Sequence, residues 1–362
     1  MTSVYIEQEG RPDLTPSLVF WPNYKFTLKD SRLFLADILA SYQEPFFTLA
    51  FSVENADFLA VPFEYFDVVD HFGSYLERVY TLARSVGKKV LLFDYTDYVD
   101  REPKIPDHAI LFRVSAYRHH KKSNEIVMPY FVQDFSSLPL CGKHTRPVIG
   151  FCGLANHGGL LKVIRSNLKW YATAFLLLLL GDANITVHRK GIFWRKECIS
   201  ILRKTKEIET AIVERSSYSL HSASIQGEPR RIRSEYIENL RASSISLVAR
   251  GDANASQRFY EALSAGRIPL FLDTDSVLPL EESISYDTCM IRVPWSSMKL
   301  LGEKAAEWYV KNTESKFVEA QKNCRRIFQD YLRLDRYFSL VFDRKRSPYR
   351  ELLFTRRIEA ES

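Results

Sequence analysis

The sequence predicts an α/β protein built from two doubly wound, Rossmann-like domains. Three observations predict it: strand-like and helical patterns alternate from residue 17 to 114, the alternation resumes at Val148 after a turn-rich stretch, and residues 243–282 read as a complete strand–helix–strand unit. A chain of 362 residues, 46% hydrophobic and with ordinary charge content, is long enough for two cores and excludes disorder.

In order along the chain, residues 17–21 and 46–52 have the apolar content of strands, with a helix expected between them at 33–41. Residues 58–61 form a further short buried strand. Residues 72–86 repeat apolar positions at helical spacing and end on Gly87, after which 89–93 is a strand running into Asp94-Tyr-Thr-Asp97 and 109–114 is another. Residues 138–147 combine turn formers with basic residues and mark a linker, so domains of 1–142 and 143–315 are expected, with 316–362 as helices returning to the first. The second domain opens on a strand at 148–152, a glycine-containing loop at 153–159 and a long helix at 160–180. The apolar run 172–180 is about half the ~20 residues that span a bilayer, so a buried helix is expected there.

Residues 243–282 carry the chemistry. The run 245–249 is broken by Gly251 and Asn254 and suits a buried strand. Asn254 is the expected cap of the following helix, with Gln257 three residues on as in a capping box. Phe259, Ala262 and Leu263 give that helix an inward face, Gly266 ends it, and 267–273 is the second strand. In such a unit the loop and helix N-terminus sit at the carboxyl edge of the sheet, where open α/β sheets bind ligands. Arg250, Ser256 and Arg258 at that edge, with the helix N–H groups, suit a diphosphate, and Glu261 one turn later suits the vicinal hydroxyls of a ribose. Singly each is an ordinary helix or strand-end residue; gathered on one edge they indicate a nucleotide site.

The pattern Arg250-Gly251, Ser256-Gln-Arg-Phe-Tyr-Glu-Ala-Leu263, Ala265-Gly-Arg-Ile-Pro269 and Leu278-Pro-Leu-Glu-Glu282 resembles the exostosin-like glycosyltransferases, family 47, with weaker echoes at 56–62 and 147–153. The resemblance implies a GT-B architecture, two Rossmann-like domains facing a central cleft. It also implies inverting transfer of a sugar from a nucleotide-diphosphate sugar, UDP rather than GDP expected, to a hydroxyl of a glycan acceptor. Gly153 joins the donor site on this basis. Arg189 or Lys190, in the basic and aromatic cluster 188–196, is placed to reach the diphosphate. The base that deprotonates the acceptor is expected at a strand end of the first domain: Asp97 or Asp94, with Glu64 and His71 next.

No cofactor or metal is expected. Asp273-Thr-Asp275 has the form of a metal-binding pair but falls where a turn is required, and no His or Cys spacing suggests zinc. The excess of 50 Lys and Arg over 44 Asp and Glu, +6, fits anionic small molecules as well as nucleic acid. One basic cluster without a nucleic-acid-binding pattern leaves nucleic acid out of the expected partners. A non-catalytic sugar-nucleotide or glycan-binding protein is the alternative. Five unpaired cysteines, at 141, 152, 198, 289 and 324, and a polar start with no apolar segment at 1–10 point to a cytoplasmic protein, and because family members from animals and plants are generally Golgi membrane proteins, the resemblance then implies one of bacterial or viral type.

Overall fold

The computed structural model describes residues 1–26, 34–156, 159–217 and 227–355. They form two parallel sheets. In the first, β1 (Thr2–Tyr5), β2 (Phe47–Leu49), β3 (Phe58–Glu64), β4 (Val90–Asp94), β5 (Ala109–Arg113) and β6 (Glu125–Val127) lie in the order β2-β1-β3-β4-β5-β6. In the second, β7 (Val148–Leu154), β8 (Glu209–Arg215), β9 (Ile245–Val248), β10 (Ile268–Asp273) and β11 (Ile291–Pro294) lie in the order β11-β10-β9-β7-β8. Each sheet begins as 2-1-3-4-5 in its own strand numbering, so the chain reverses direction across the sheet between its first and third strands. That switch point opens a crevice at the carboxyl ends of those strands.

The central strands are buried on both faces and read as continuous apolar runs, as parallel strands covered by helices must. Their register aligns Leu270 with Leu247 on one side and Ile291 on the other. Helices α1 (Trp21–Tyr24), α2 (Leu35–Leu39), α3 (Tyr65–His71) and α4 (Gly73–Ser85) accompany the first sheet, and α5 (Leu160–Leu179), α6 (Gly191–Leu202), α7 (Pro229–Ala242) and α8 (Gln257–Ala265) the second. Gly266 closes α8 with φ +67°, and a Cβ there would come within 2.8 Å of Leu140, so both conformation and space require glycine. Next come α9 (Leu301–Lys311) and α10 (Glu314–Ile327). The turn-rich stretch 138–147 is held down on them: Cys141 N–H donates to Gln321 at 2.8 Å and His144 N–H to the Tyr309 hydroxyl at 2.7 Å.

The chain then returns to the first sheet through α11 (Leu334–Val341) and α12 (Arg350–Phe354). Phe338 packs against Phe46, Phe47, Phe93 and Phe112, and the Tyr337 hydroxyl donates to the Val127 carbonyl at 2.9 Å. All five cysteines are free.

Several elements differ from the sequence expectation. Within 17–21, residues 18–21 are helical, a 3-10 turn at Leu18–Phe20 leading into α1, because Pro22 presets the first helical turn and Val19 and Phe20 reach the core from there. Ser256, not Asn254, is the N-cap of α8; the Asn254 side chain instead donates to Thr274 O at 3.1 Å and accepts from the Thr274 hydroxyl. The run 172–180 is not buried. Phe175, Leu176, Leu178, Leu179 and Leu180 are 55–74% exposed, an apolar face that no other described element covers. No helix among the described residues is long and apolar enough to cross a membrane. Strands β1, β6, β8 and β11 escaped notice, β8 because its Glu209, Glu214 and Arg215 are the charged residues of an exposed edge. Residue 33 of the expected 33–41 helix, and 157–158 of the glycine-containing loop, lie outside the described residues.

Phe338→Ala should lower stability by about 3–5 kcal/mol, the usual loss for truncating a buried aromatic, seen as a fall in the denaturation midpoint. An unchanged midpoint would show that α11 adds nothing to the first sheet.

Candidate active site

The crevice at the switch point of the second sheet is a cavity of about 360 Å³. Cys152, Gly153 and Leu154 at the end of β7 form one wall, the loop after β9 with Ser256, Gln257 and Arg258 another, and Arg195, Arg233, Tyr236 and Glu261 the base. From the first domain come Leu35, Ile38, Tyr130, Phe131 and, at the loop after β4, Asp97. Ser256 has extended dihedrals and no side-chain cap bond, so α8 opens towards the cavity with its first turn uncapped by a side chain. Its positive end favours an anion there.

Arg258 reaches back from α8 to the end of β7. Its guanidinium donates to Cys152 O at 2.6 Å and lies 4.3 Å from the centre of the Phe151 ring. A Cβ on Gly153 would sit 2.7 Å from that guanidinium, so the glycine is what lets Arg258 take this position. Arg195 donates to Leu154 O at 3.1 Å from the opposite side. Glu261 is buried, accepting from the Tyr236 hydroxyl at 2.5 Å and from Arg233 at 3.2 Å, and Arg233 also donates to Gln133 Oε1 at 2.7 Å. Burial and the Glu261 charge hold the Tyr236 phenol well above its ordinary range, so it stays a donor. Two bonds leave part of the carboxylate's acceptor capacity for a ligand.

Five of the residues singled out in the sequence therefore line one cavity: Asp97, Gly153, Ser256, Arg258 and Glu261. The others do not. Arg250 is buried away from it, donating to the Tyr117 hydroxyl at 2.7 Å, Val187 O at 2.6 Å and Asp252 O at 3.0 Å. Arg189 lies over Phe193 and Trp170, at 4.0 and 4.9 Å. Asp94 is enclosed, paired with Arg113 at 3.3 Å and bonded to Thr96. Burial raises its pKa against the lowering effect of Arg113. Glu64 accepts from Tyr95 N–H at 2.6 Å, and His71 ends α3 in solvent; neither lines the cavity.

Arg195, Arg233 and Tyr236 are cavity residues that the sequence reading passed over. Arg195 lies further along the same basic cluster as Arg189. Arg233 and Tyr236 stand three apart on α7, a spacing that puts both on one helix face.

Asp273 and Asp275 point to different partners: Asp273 accepts from Ser276 N–H at 2.8 Å, and Asp275, at φ +62°, pairs with His119. Among the described residues, one other group has the donor set for a metal ion, His119, His120, Asp182 and His188.

Residues 195–305 match the family model of the exostosin GT47 domain. The matched segment runs from Arg195 within α6 through β11 into α9 and includes Arg195, Arg233, Ser256, Arg258 and Glu261; Gly153 and Asp97 precede it. A search of curated proteins finds no match to the chain.

Burial pushes the Glu64 carboxyl up to about 8, with Asp94 adding to the shift. An unfolded glutamate ionises near 4.5, so between roughly pH 5 and 8 the folded chain binds more protons and stability falls as pH rises. Glu64→Gln should remove that part of the slope. Its stability relative to wild type should rise from pH 5 to pH 8 in denaturant titrations; a constant difference would mean that Glu64 is ionised throughout.

Proposed function

We propose that the chain is a glycosyltransferase of GT-B fold that transfers a sugar with inversion from a nucleotide-diphosphate sugar to a hydroxyl of a glycan acceptor, a reading supported by the match of residues 195–305 to the exostosin GT47 model and by the two facing parallel α/β sheets. What supports this reading is one observation: the cavity at the second sheet's switch point faces Arg258, Ser256 and the α8 N-terminus from one domain and Asp97 from the other. In the proposed reaction the acceptor oxygen attacks the anomeric carbon, Asp97 takes the hydroxyl proton, and the bond from carbon to diphosphate oxygen breaks, its electrons leaving on the nucleoside diphosphate. Arg258, Arg195 and the helix dipole stabilise that charge, in place of Mg²⁺ or Mn²⁺. Glu261, set by Tyr236 and Arg233, accepts from the ribose hydroxyls. A uridine diphosphate donor is proposed over a guanosine one on the family resemblance.

Thermal-shift measurements against a panel of sugar nucleotides test the reading first, since a ligand of the folded state raises the melting midpoint. Glu261→Gln exchanges a charged acceptor for a neutral one, worth about 1.5–3 kcal/mol, so donor affinity should fall roughly 10- to 150-fold. Calorimetry showing unchanged affinity in a folded variant would remove Glu261 from the donor site.

Asp97→Asn should lower turnover by about 10² to 10⁴ with donor affinity nearly unchanged, in assays without added Mg²⁺ or Mn²⁺. Asp94→Asn should leave turnover near wild type, because Asp94 is spent on Arg113. Near-normal turnover in Asp97→Asn would place the base elsewhere, and dependence on added Mn²⁺ would return the reaction to metal-assisted chemistry.

A further inference from the structure

The loop after β5 carries His119 and His120, and the segment between α5 and α6 carries Asp182 and His188. The fold brings these four residues together with their ligand atoms all within 4.8 Å of one another. Asp182 Oδ2 lies 2.9 Å from His188 Nε2 and 3.5 Å from His120 Nε2, and Asp182 Oδ1 lies 3.6 Å from His119 Nε2. Two ligands about 2.0–2.1 Å from a tetrahedral zinc ion sit roughly 3.3–3.4 Å apart. These three spacings differ from that by a few tenths of an ångström.

The outer sides of the rings sharpen the case. His119 Nδ1 faces the Asp275 carboxylate, and His188 Nδ1 lies 3.0 Å from Asp100 Oδ1. Ionised carboxylates only accept, and a neutral imidazole has one N–H. Neutral rings with that proton on Nδ1 present each inner Nε2 as a lone pair towards the carboxylate of Asp182, a repulsion that a shared metal ion or a second ring proton relieves. A carboxylate behind an imidazole whose other nitrogen converges with further ligands is how proteins orient metal-binding histidines. Asp182 and His188 side chains are only 5% and 4% exposed, whereas His120 is 52% exposed and gives an ion its route in.

We propose that His119, His120, Asp182 and His188 bind one zinc ion. Three imidazoles and one carboxylate suit zinc over Mg²⁺ or Ca²⁺, which take oxygen ligands. Four protein ligands complete a tetrahedron and leave no open position, so the ion is structural. It clasps a loop of the first domain to a segment of the second. None of the four ligands lines the donor cavity, so Mn²⁺ or Mg²⁺ supplied for transfer does not replace it.

The test uses the untagged full-length chain, stripped with a strong chelator and titrated with Zn²⁺ and, separately, Co²⁺. The expected result is one tightly held zinc per chain, a higher melting midpoint on adding zinc, and the intense visible absorption of tetrahedral Co²⁺. His120→Ala, at an exposed position the fold tolerates, should weaken zinc binding more than tenfold. Asp100→Asn, which disturbs the support of His188, should weaken it about 10- to 100-fold; circular dichroism checks that each variant is folded. Failure of the wild type to bind zinc stoichiometrically, leaving the imidazoles to protons alone, would overturn the proposal. So would equal zinc affinity in wild type, His120→Ala and His188→Ala. Metal binding is the readout, so the outcome does not depend on which sugar is transferred.

Discussion

The two domains are held in register by a buried guanidinium. Arg250, at the end of β9, is 3% exposed and donates to the Tyr117 hydroxyl and the Val187 carbonyl, while its planar head lies 5.3 Å from the centre of the Tyr117 ring. Tyr117 belongs to the loop after β5, and its hydroxyl in turn donates to Asp100. A buried charge is tolerated only where its donors find partners, so the loops after β5 and β9 and the segment at Val187 must meet at Arg250. Neighbouring contacts reinforce the junction: a backbone bridge joins Tyr117 to Ser276, and Arg118 spans from Ser276 O to Glu281. The cavity exists because the crossing is fixed here, which leaves the strand ends of the two sheets facing each other beside it.

This constraint explains how the sequence was legible in one respect and misleading in another. The unit from β9 to β10 was plain, because a short apolar run, a loop, an amphipathic turn of helix and a glycine terminator all agree locally. Arg250 at its strand end looked like a ligand residue by residue type and position. What removed it from the donor cavity is a tyrosine 133 positions away, and no local pattern announces such a partner. Asp94 and Asp97 show the same effect at shorter range. Asp94 ends β4 and Asp97 follows it, but Arg113 comes from the adjacent strand, opposite Asp94 in the register, and takes the first carboxylate into the sheet while the second stays at the cavity.

The errors in secondary structure have local causes. A short apolar run satisfies a strand or a helical turn equally well, and at 18–21 the following proline decides it. At 172–180 apolar composition does not bring burial. Hydrophobicity states what a segment would gain by being covered, not that the chain covers it, and on α5 the covering element is absent among the described residues. Gly153 is the opposite case. A glycine in a strand end is weak information by itself, yet here its missing side chain is the space through which Arg258 reaches Cys152.

The histidine and aspartate cluster lay beyond sequence reading for a geometric reason. Zinc motifs are recognised when ligands fall on one turn or one helix face; here two adjacent histidines meet an aspartate and a histidine more than sixty residues later, across the domain junction. The junction thus joins two kinds of electrostatic demand. Arg250 needs neutral or negative partners from both domains, and the cluster beside it, where the Tyr117 ring lies 4.4 Å from that of His188, gathers carboxylates around imidazoles. Tyr117 is shared by both. A change that loosens one should therefore be felt by the other, and through Arg250 by the loop that leads into Ser256 and the first turn of α8, where the proposed leaving-group charge develops.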